Sequence, residues 1–227
     1  MRNRDVQPEQ LDRLSHDDGV AACIHRDILR YNRIMGNFSW MVGALRQVLK
    51  PGDRVLEIAA GRGQLIRVLA EEGVLDGAAR VAAFDAACPR PEDCPAGVEW
   101  SVCRAEDFAA YQDFNVILSC HFLHQLEDAA LRALAADCRH AEVWIAAEPR
   151  RHRLASVLCR ASALIGFSRA GIGDGLTSIR AGFRGAELPR LLGLEGAETW
   201  QVQTHETWLG RYGLLAQRRE RGAAACI

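Results

Sequence analysis

Lysine is almost absent from this chain. Lys50 stands alone among 28 basic residues, and the rest are arginines. That bias reads as a base-composition preference of the genome rather than a nucleic-acid surface, because 29 acidic residues bring the net charge to −1. With one lysine there is no Tyr-x-x-x-Lys pair of a nicotinamide-dependent reductase and no Gly-Lys-Ser/Thr ending of a Walker loop. Long apolar runs are missing too. The longest, Leu154 to Phe167, is broken by Arg160 and is too short for a bilayer. The opening residues MRNRDVQPEQ lack the apolar segment of a secretory signal, so a cytoplasmic location with no membrane partner is expected. There are eight cysteines but no C-x-x-C pair. Free thiols are expected, although Cys88 and Cys94 flank a proline-rich turn where they would have a chance to meet. Histidine and cysteine are not clustered at ligand spacing, so no metal is expected. What remains is ordinary globular composition, 49% hydrophobic over 227 residues, enough for one domain with a full core.

Residues 1–17 are polar and read as loosely ordered. Ile24, Ile28, Tyr31 and Met35 recur at helical spacing and predict a helix over Asp18–Met35. Gly36-Asn37 stops it, and a second helix follows with Asn37 or Ser39 as its cap. These helices form an amino-terminal cover over residues 1–50, ahead of one unit at 51–227. Strands are then expected at Arg54–Ile58, Arg80–Phe84, Val98–Cys103, Asn115–Cys120 and Glu142–Ala147. Helices are expected at Gly63–Glu72, Glu127–Cys138 and Leu154–Leu164. The stretch Gly166–Gly185 is punctuated by glycines and reads as loop, with a short helix at Ala186–Leu192. Thr199–Thr204 and Trp208–Gln217 read as a closing hairpin with its turn near His205-Glu206. Pro89, Pro91 and Pro95 remove the usual crossover helix between the second and third strands. The fold class is therefore α/β. A Rossmann-like sheet of seven mostly parallel strands, one of them antiparallel, carries helices on both faces.

The chemistry starts at Val55–Leu65, VLEIAAGRGQL. A strand ends at Glu57-Ile58, a small-residue turn follows at once, and a helix opens after Gly63. Such a turn brings backbone close to a ligand and aims helix amides at it. A dinucleotide site needs G-x-G-x-x-G/A. Here the matching positions are Ala59, Gly61 and Gln64, so the third small residue is missing and NAD is disfavoured.

The pattern E-x-A-x-G-x-G, with Asp85 about two dozen residues on, resembles the first motif of class I S-adenosylmethionine-dependent methyltransferases. Ala59 takes the place of the first glycine. Three more stretches match in order: CRAEDF (Cys103–Phe108), FNVILSCHFLHQLED (Phe114–Asp128) and VWIAAEPRR (Val143–Arg151). Asn115 and Gln125 depart from the family's usual Asp and His. The segments HRDILRYNRIMGN and TSIRAGFRGAELPRL are similar to bacterial small-molecule members, some of them in natural-product pathways. The resemblance implies S-adenosylmethionine as cofactor, bound by Glu57, Ala59, Ala60, Gly61, Gly63, Asp85, Ala86, Ala105, Glu106, Ser119 and Cys120. It gives Asp85 the ribose hydroxyls and puts Ala105 and Glu106 beside the adenine.

Methyl transfer needs orientation, a dry site and, for an acceptor of high pKa, a base. His121, just past the fourth strand, is the first candidate base, and His124 is the second. Glu148 would either hold a histidine in its tautomer or pair with Arg150 or Arg151. Arg151, Arg180 and Arg184 are candidates for an acidic or phenolate acceptor, with ion pairing as the plainer reading. His16, His25, His140, His152 and His205 read as surface residues. No N/D-P-P-Y/F motif follows the fourth strand, which argues against methylation of nucleic-acid bases. Tyr31, Met35, Phe38, Trp40 and Met41 suit a lid over an apolar or aromatic acceptor. The expected function is methylation of a small aromatic or polyketide-like molecule, with O-methylation favoured. The alternative is a protein that binds the cofactor without methylating. A homodimer is left open.

Overall fold

The computed structural model describes residues 3–14, 18–196 and 198–219, so the expectations for His16 and Cys226 fall outside it. The strands are β1 (Arg54–Ile58), β2 (Arg80–Asp85), β3 (Val98–Val102), β4 (Val116–Cys120), β5 (Val143–Pro149), β6 (Trp200–Glu206) and β7 (Arg211–Arg218). They form one sheet in the order β3-β2-β1-β4-β5-β7-β6. The first five run parallel, and β7 is antiparallel to both β5 and β6. The strand order reverses between β1 and β4. In open α/β sheets the ligand crevice lies outside the carboxyl ends of the strands at such a point.

Alternation along the strands divides the core. Val55, Val116, Leu118, Val143 and Ile145 face α2 (Asn37–Val48) and α3 (Gln64–Glu71), meeting Met41, Leu45, Leu65 and Leu69. Leu56, Ile58, Ile117, Trp144 and Ala146 face the other way, toward α4 (Asp128–Asp137) and α7 (Glu187–Leu191). Burial on both faces explains why β4 and β5 are apolar without alternation. No helix joins β2 to β3, as the prolines require.

Four expectations are corrected. The first concerns Gly166–Gly185, which is not a loop: Arg169–Ala181 is a helix, α6, capped by Ser168. Two of its three glycines, Gly171 and Gly175, are contact points, whereas Gly173 faces open space. A Cβ on Gly171 would lie 2.6 Å from Asp27 Oδ2, and one on Gly175 would lie 3.0 Å from Cys159 Sγ. The helix cost of glycine is thus offset by close packing on α1 (Gly19–Met35) and α5 (Arg153–Ala161). The second concerns the hairpin turn, which sits at Thr207–Gly210, where Gly210 has φ 111° and Thr207 Oγ1 accepts the Arg211 amide. The third concerns the amino-terminal segment, whose described residues 3–14 are docked. Arg4 donates to the carbonyls of His124, Leu126 and Ala181, and Asp174 of α6 accepts the amides of Gln10 and Leu11. Among the described residues no helix is long and apolar enough to cross a membrane. Fourth, neither cap proposed for α2 is made: Gly36 holds the N-cap position without a side-chain bond.

Candidate active site

A cavity of about 630 Å3 opens at the carboxyl ends of β1 and β4. Two non-glycine residues there adopt the left-handed region, Ala59 at φ 52° and His121 at φ 59°. One follows β1 and the other β4, so backbone strain is held at both lips of the crevice.

The glycine turn builds one end. Gly61 and Gly63 have φ 57° and 69°, and Gly63 is the N-cap of α3. A Cβ on Gly63 would meet the Trp100 ring at 3.4 Å, whereas at Gly61 the nearest group is Gln64 Oε1 at 4.0 Å. Gly63 therefore serves helix–sheet packing, and Gly61 keeps open space on the cavity side. The Gly61 amide donates to Asp85 Oδ2 at 2.8 Å, while Asp85 Oδ1 accepts the amides of Ala87 and Cys88. Asp85 is thus anchored at the cavity wall with acceptor capacity left over. Glu57 is 2% exposed, and it accepts the Ile66 amide, an otherwise unpaired donor of the first turn of α3. Its Oε2 has no partner. Burial, with Asp85 adding negative charge, pushes the Glu57 pKa up to about 8. An ionisable buried oxygen without a partner, facing a cavity, fits a cationic ligand.

The other end is polar at the strand tips and apolar beyond. Asn37 Nδ2 donates to Asn32 Oδ1 at 2.8 Å and to His121 Nε2 at 2.7 Å. An amide nitrogen only donates, so Nε2 accepts and the His121 proton sits on Nδ1. Burial lowers the His121 pKa to about 4, which makes the ring neutral. His124 lies 6.2 Å away between ring centres, nearly perpendicular, and is the opposite case. Its Nδ1 is 2.7 Å from Glu148 Oε2 and its Nε2 is 3.2 Å from Glu9 Oε1. Burial works against its charge, but two carboxylates outweigh it and raise its pKa to about 9. His124 is therefore a buried imidazolium. Glu148 also accepts the amides of Phe122, Leu123 and His124, and all these contacts hold it below the usual carboxylate range despite full burial.

The cavity wall includes Glu57, Ala59, Ala60, Gly61, Asp85, Ala86, Cys120, His121 and His124 among the residues expected at the site. Gly63, Ala105, Glu106, Ser119 and Glu148 do not line it. Ser119 is fully buried. Ala105 and Glu106 lie in a short turn after β3, where Glu106 is exposed and pairs with Arg104 at 2.5 Å. Glu148 pairs with neither neighbouring arginine. Arg151 is buried against Gly182 O and Glu187, and Arg150 pairs with Glu206 at 2.6 Å. Arg180 lies 3.9 Å from Asp5. Cys88 and Cys94 are both free thiols. Tyr31, Met35 and Phe38 do line the cavity, and Tyr31 hydrogen-bonds Ser162 at 2.9 Å. Sequence reasoning missed Glu9, Asn32 and Ser178. Asn32 and Ser178 fall within the segments HRDILRYNRIMGN and TSIRAGFRGAELPRL, whose likeness gives them no role, and Glu9 lies in no such segment; each reaches the site only through the tertiary fold.

The sheet order β3-β2-β1-β4-β5-β7-β6, with a crevice at the β1/β4 reversal, is a Rossmann-like fold that the chain shares with solved methyltransferases. The chain is similar in structure to the plantazolicin methyltransferase BpumL solved with S-adenosylhomocysteine, with a TM-score of 0.61 at 11% identity, over 86% of this chain and 90% of that one. The plantazolicin methyltransferase BamL, in complex with a triazolic desmethylPZN analog and S-adenosylhomocysteine, gives 0.60 at 11% identity over 86% and 90%. A putative O-methyltransferase from Nostoc punctiforme PCC 73102 gives 0.53 at 13% identity over 84% and 60%. No family model matches the chain, and no curated protein matches it.

Proposed function

We propose that this chain is an S-adenosylmethionine-dependent methyltransferase acting on a small aromatic or polyketide-like molecule, with methylation at oxygen. One observation carries the cofactor: the strained turn at residues 59–63 stands between Asp85 and a buried, half-satisfied Glu57. Gly61 and Asp85 would hold the nucleoside part, with Asp85 presenting a carboxylate to vicinal hydroxyls. Glu57 would face the positive charge of the amino-acid part. When bound, S-adenosylmethionine supplies a methyl group already attached to its leaving group. The protein's share is orientation and exclusion of water, which in favourable cases is worth about 7–11 kcal/mol of barrier. The apolar walls from Tyr31, Met35, Phe38, Leu158 and Ile179 support a flat or extended apolar acceptor.

Isothermal titration with S-adenosylmethionine and S-adenosylhomocysteine tests the cofactor. Asp85→Ala is expected to weaken binding by about tenfold or more, the worth of a hydrogen bond to a charged group. Its melting temperature should be read alongside, because Asp85 also ties three loop amides. Unchanged affinity in a folded variant would sink the cofactor assignment.

A further inference from the structure

We propose that Glu9, carried on the docked amino-terminal strap, is the catalytic base of the acceptor site, and that the acceptor is a neutral hydroxyl compound of the phenol or enol class. The proposal rests on the methyltransferase reading above and deepens it. The two histidines next to the crevice are not free to take a proton. His121 Nε2 receives the Asn37 amide, and His124 faces a carboxylate at each nitrogen. Glu148 lies off the wall and already accepts three amides and an imidazole. Glu9 lines the cavity at 6% exposure. Its Oε1 accepts from His124 and Ser178, but Oε2 has only Gln125 Nε2 at 3.4 Å, which leaves it room for another donor. Asp12 and Asp174 also border the cavity. Their bonds go to the strap's own amides, Glu9 N–H on Asp12 and Gln10 and Leu11 N–H on Asp174. Glu9 is the strap carboxylate that touches the turn after β4.

Charge narrows the acceptor. Glu9 and Glu148 enclose one imidazolium, so the cluster carries a net negative charge. Among the described residues, Arg62 in the glycine turn supplies the one guanidinium on the cavity wall, and no lysine lies there. A carboxylate acceptor would meet the net negative charge of the Glu9 cluster, with no arginine or lysine on the wall outside the glycine turn to offset it. A hydroxyl would donate to Glu9 instead. The acceptor oxygen's electron pair forms the bond to the methyl carbon of the sulfonium donor, and the carbon–sulfur pair leaves with sulfur. The O–H proton passes to Glu9. The products are a methyl ether, a neutral thioether and protonated Glu9, which then loses its proton to water.

The test uses 4-nitrophenol, whose yellow phenolate band reports its protonation, titrated into the full chain with and without S-adenosylhomocysteine. The wild type is expected to bind the neutral phenol and raise its apparent pKa. Glu9→Gln removes a like charge and should lower the bound pKa by about 1–3. Glu9→Asp should bring it back toward the wild-type value. With an active phenol acceptor, Glu9→Gln should lose about 10²–10⁴ in kcat with KM little changed. Identical bound pKa values in the wild type and Glu9→Gln, or no binding of 4-nitrophenol, would overturn the proposal. If S-adenosylhomocysteine fails to bind while the phenol still enters neutral and responds to Glu9→Gln, the methyltransferase reading falls and Glu9 stands as the hydroxyl contact.

Discussion

Cofactor binding at the glycine turn is expected to release a proton from Glu57. The carboxyl is buried under α3, has one hydrogen bond from Ile66 and one oxygen with none, and feels the charge of Asp85. These conditions push its pKa up to about 8, so at pH 7 roughly nine molecules in ten hold it neutral. A cationic group placed against a carboxylate lowers its pKa by about 1–3. Starting from about 8, that range ionises Glu57 enough to release about 0.4–0.9 proton per cofactor bound at pH 7. Calorimetry in two buffers of different ionisation enthalpy counts these protons directly. The cofactor's own amino group titrates nearby, so the quantity that matters is the difference between the wild type and Glu57→Gln. The glutamine keeps the Ile66 bond and cannot ionise. Equal proton counts in the two proteins would show that no cation reaches Glu57, and the placement of the cofactor's charged end would be refuted.

The remaining predictions concern stability. His124→Asn leaves the buried carboxylates of Glu9 and Glu148 without their cation and should cost about 3–5 kcal/mol near neutral pH. The loss depends on pH with a definite sign. His124 has a folded pKa of about 9 against 6.5 for a free histidine, so its contribution is whole below 6.5 and fades as pH rises through 9. The same contacts, seen from Glu9 and Glu148, fade as pH falls below 4.5, because both carboxylates are held under that value. Urea denaturation at about pH 6 and about pH 10 should show the gap between wild type and variant narrowing at the alkaline end, and a constant gap would contradict the ion triad. Gly182→Ala should destabilise by about 3 kcal/mol or more, measured the same way. Its Cβ would overlap the Pro149 carbonyl oxygen, which also accepts the Phe183 amide at 3.0 Å.

Much of the sheet was legible because its signals are local. A strand such as Val55–Ile58, a small-residue turn and Asp85 at the next strand end are each readable within a few residues. The proline-rich link at Ala86–Gly97 was readable for the same reason: proline excludes helix whatever surrounds it. Helix α6 was not legible, because its glycines argue against helix locally and the compensation comes from Asp27 and Cys159 on other elements. The amino-terminal strap was hidden for a related reason. A polar segment looks loose until its partners are known, and those of Arg4 and Glu9 lie on the turn after β4 and on α6, more than a hundred residues away.

The two histidines of H-F-L-H make the limit concrete. They are the same residue type, three positions apart, on the same turn and on the same cavity wall. In the sequence they are ranked as bases only by closeness to the end of β4, which says nothing of their protonation. The fold separates them. Asn37 gives His121 a donor, and burial then keeps it neutral, whereas Glu9 and Glu148 give His124 two acceptors and keep it charged. Each outcome follows from whether the partner donates or accepts; in the sequence Asn37 reads only as a helix stop and cap, and Glu9 comes from a stretch with no motif to mark it. The protonation pattern of the site is therefore a tertiary property. A proton acceptor for the acceptor molecule has to be sought among the groups that this pattern leaves uncommitted, and on the acceptor side that leads from the histidine turn to the strap.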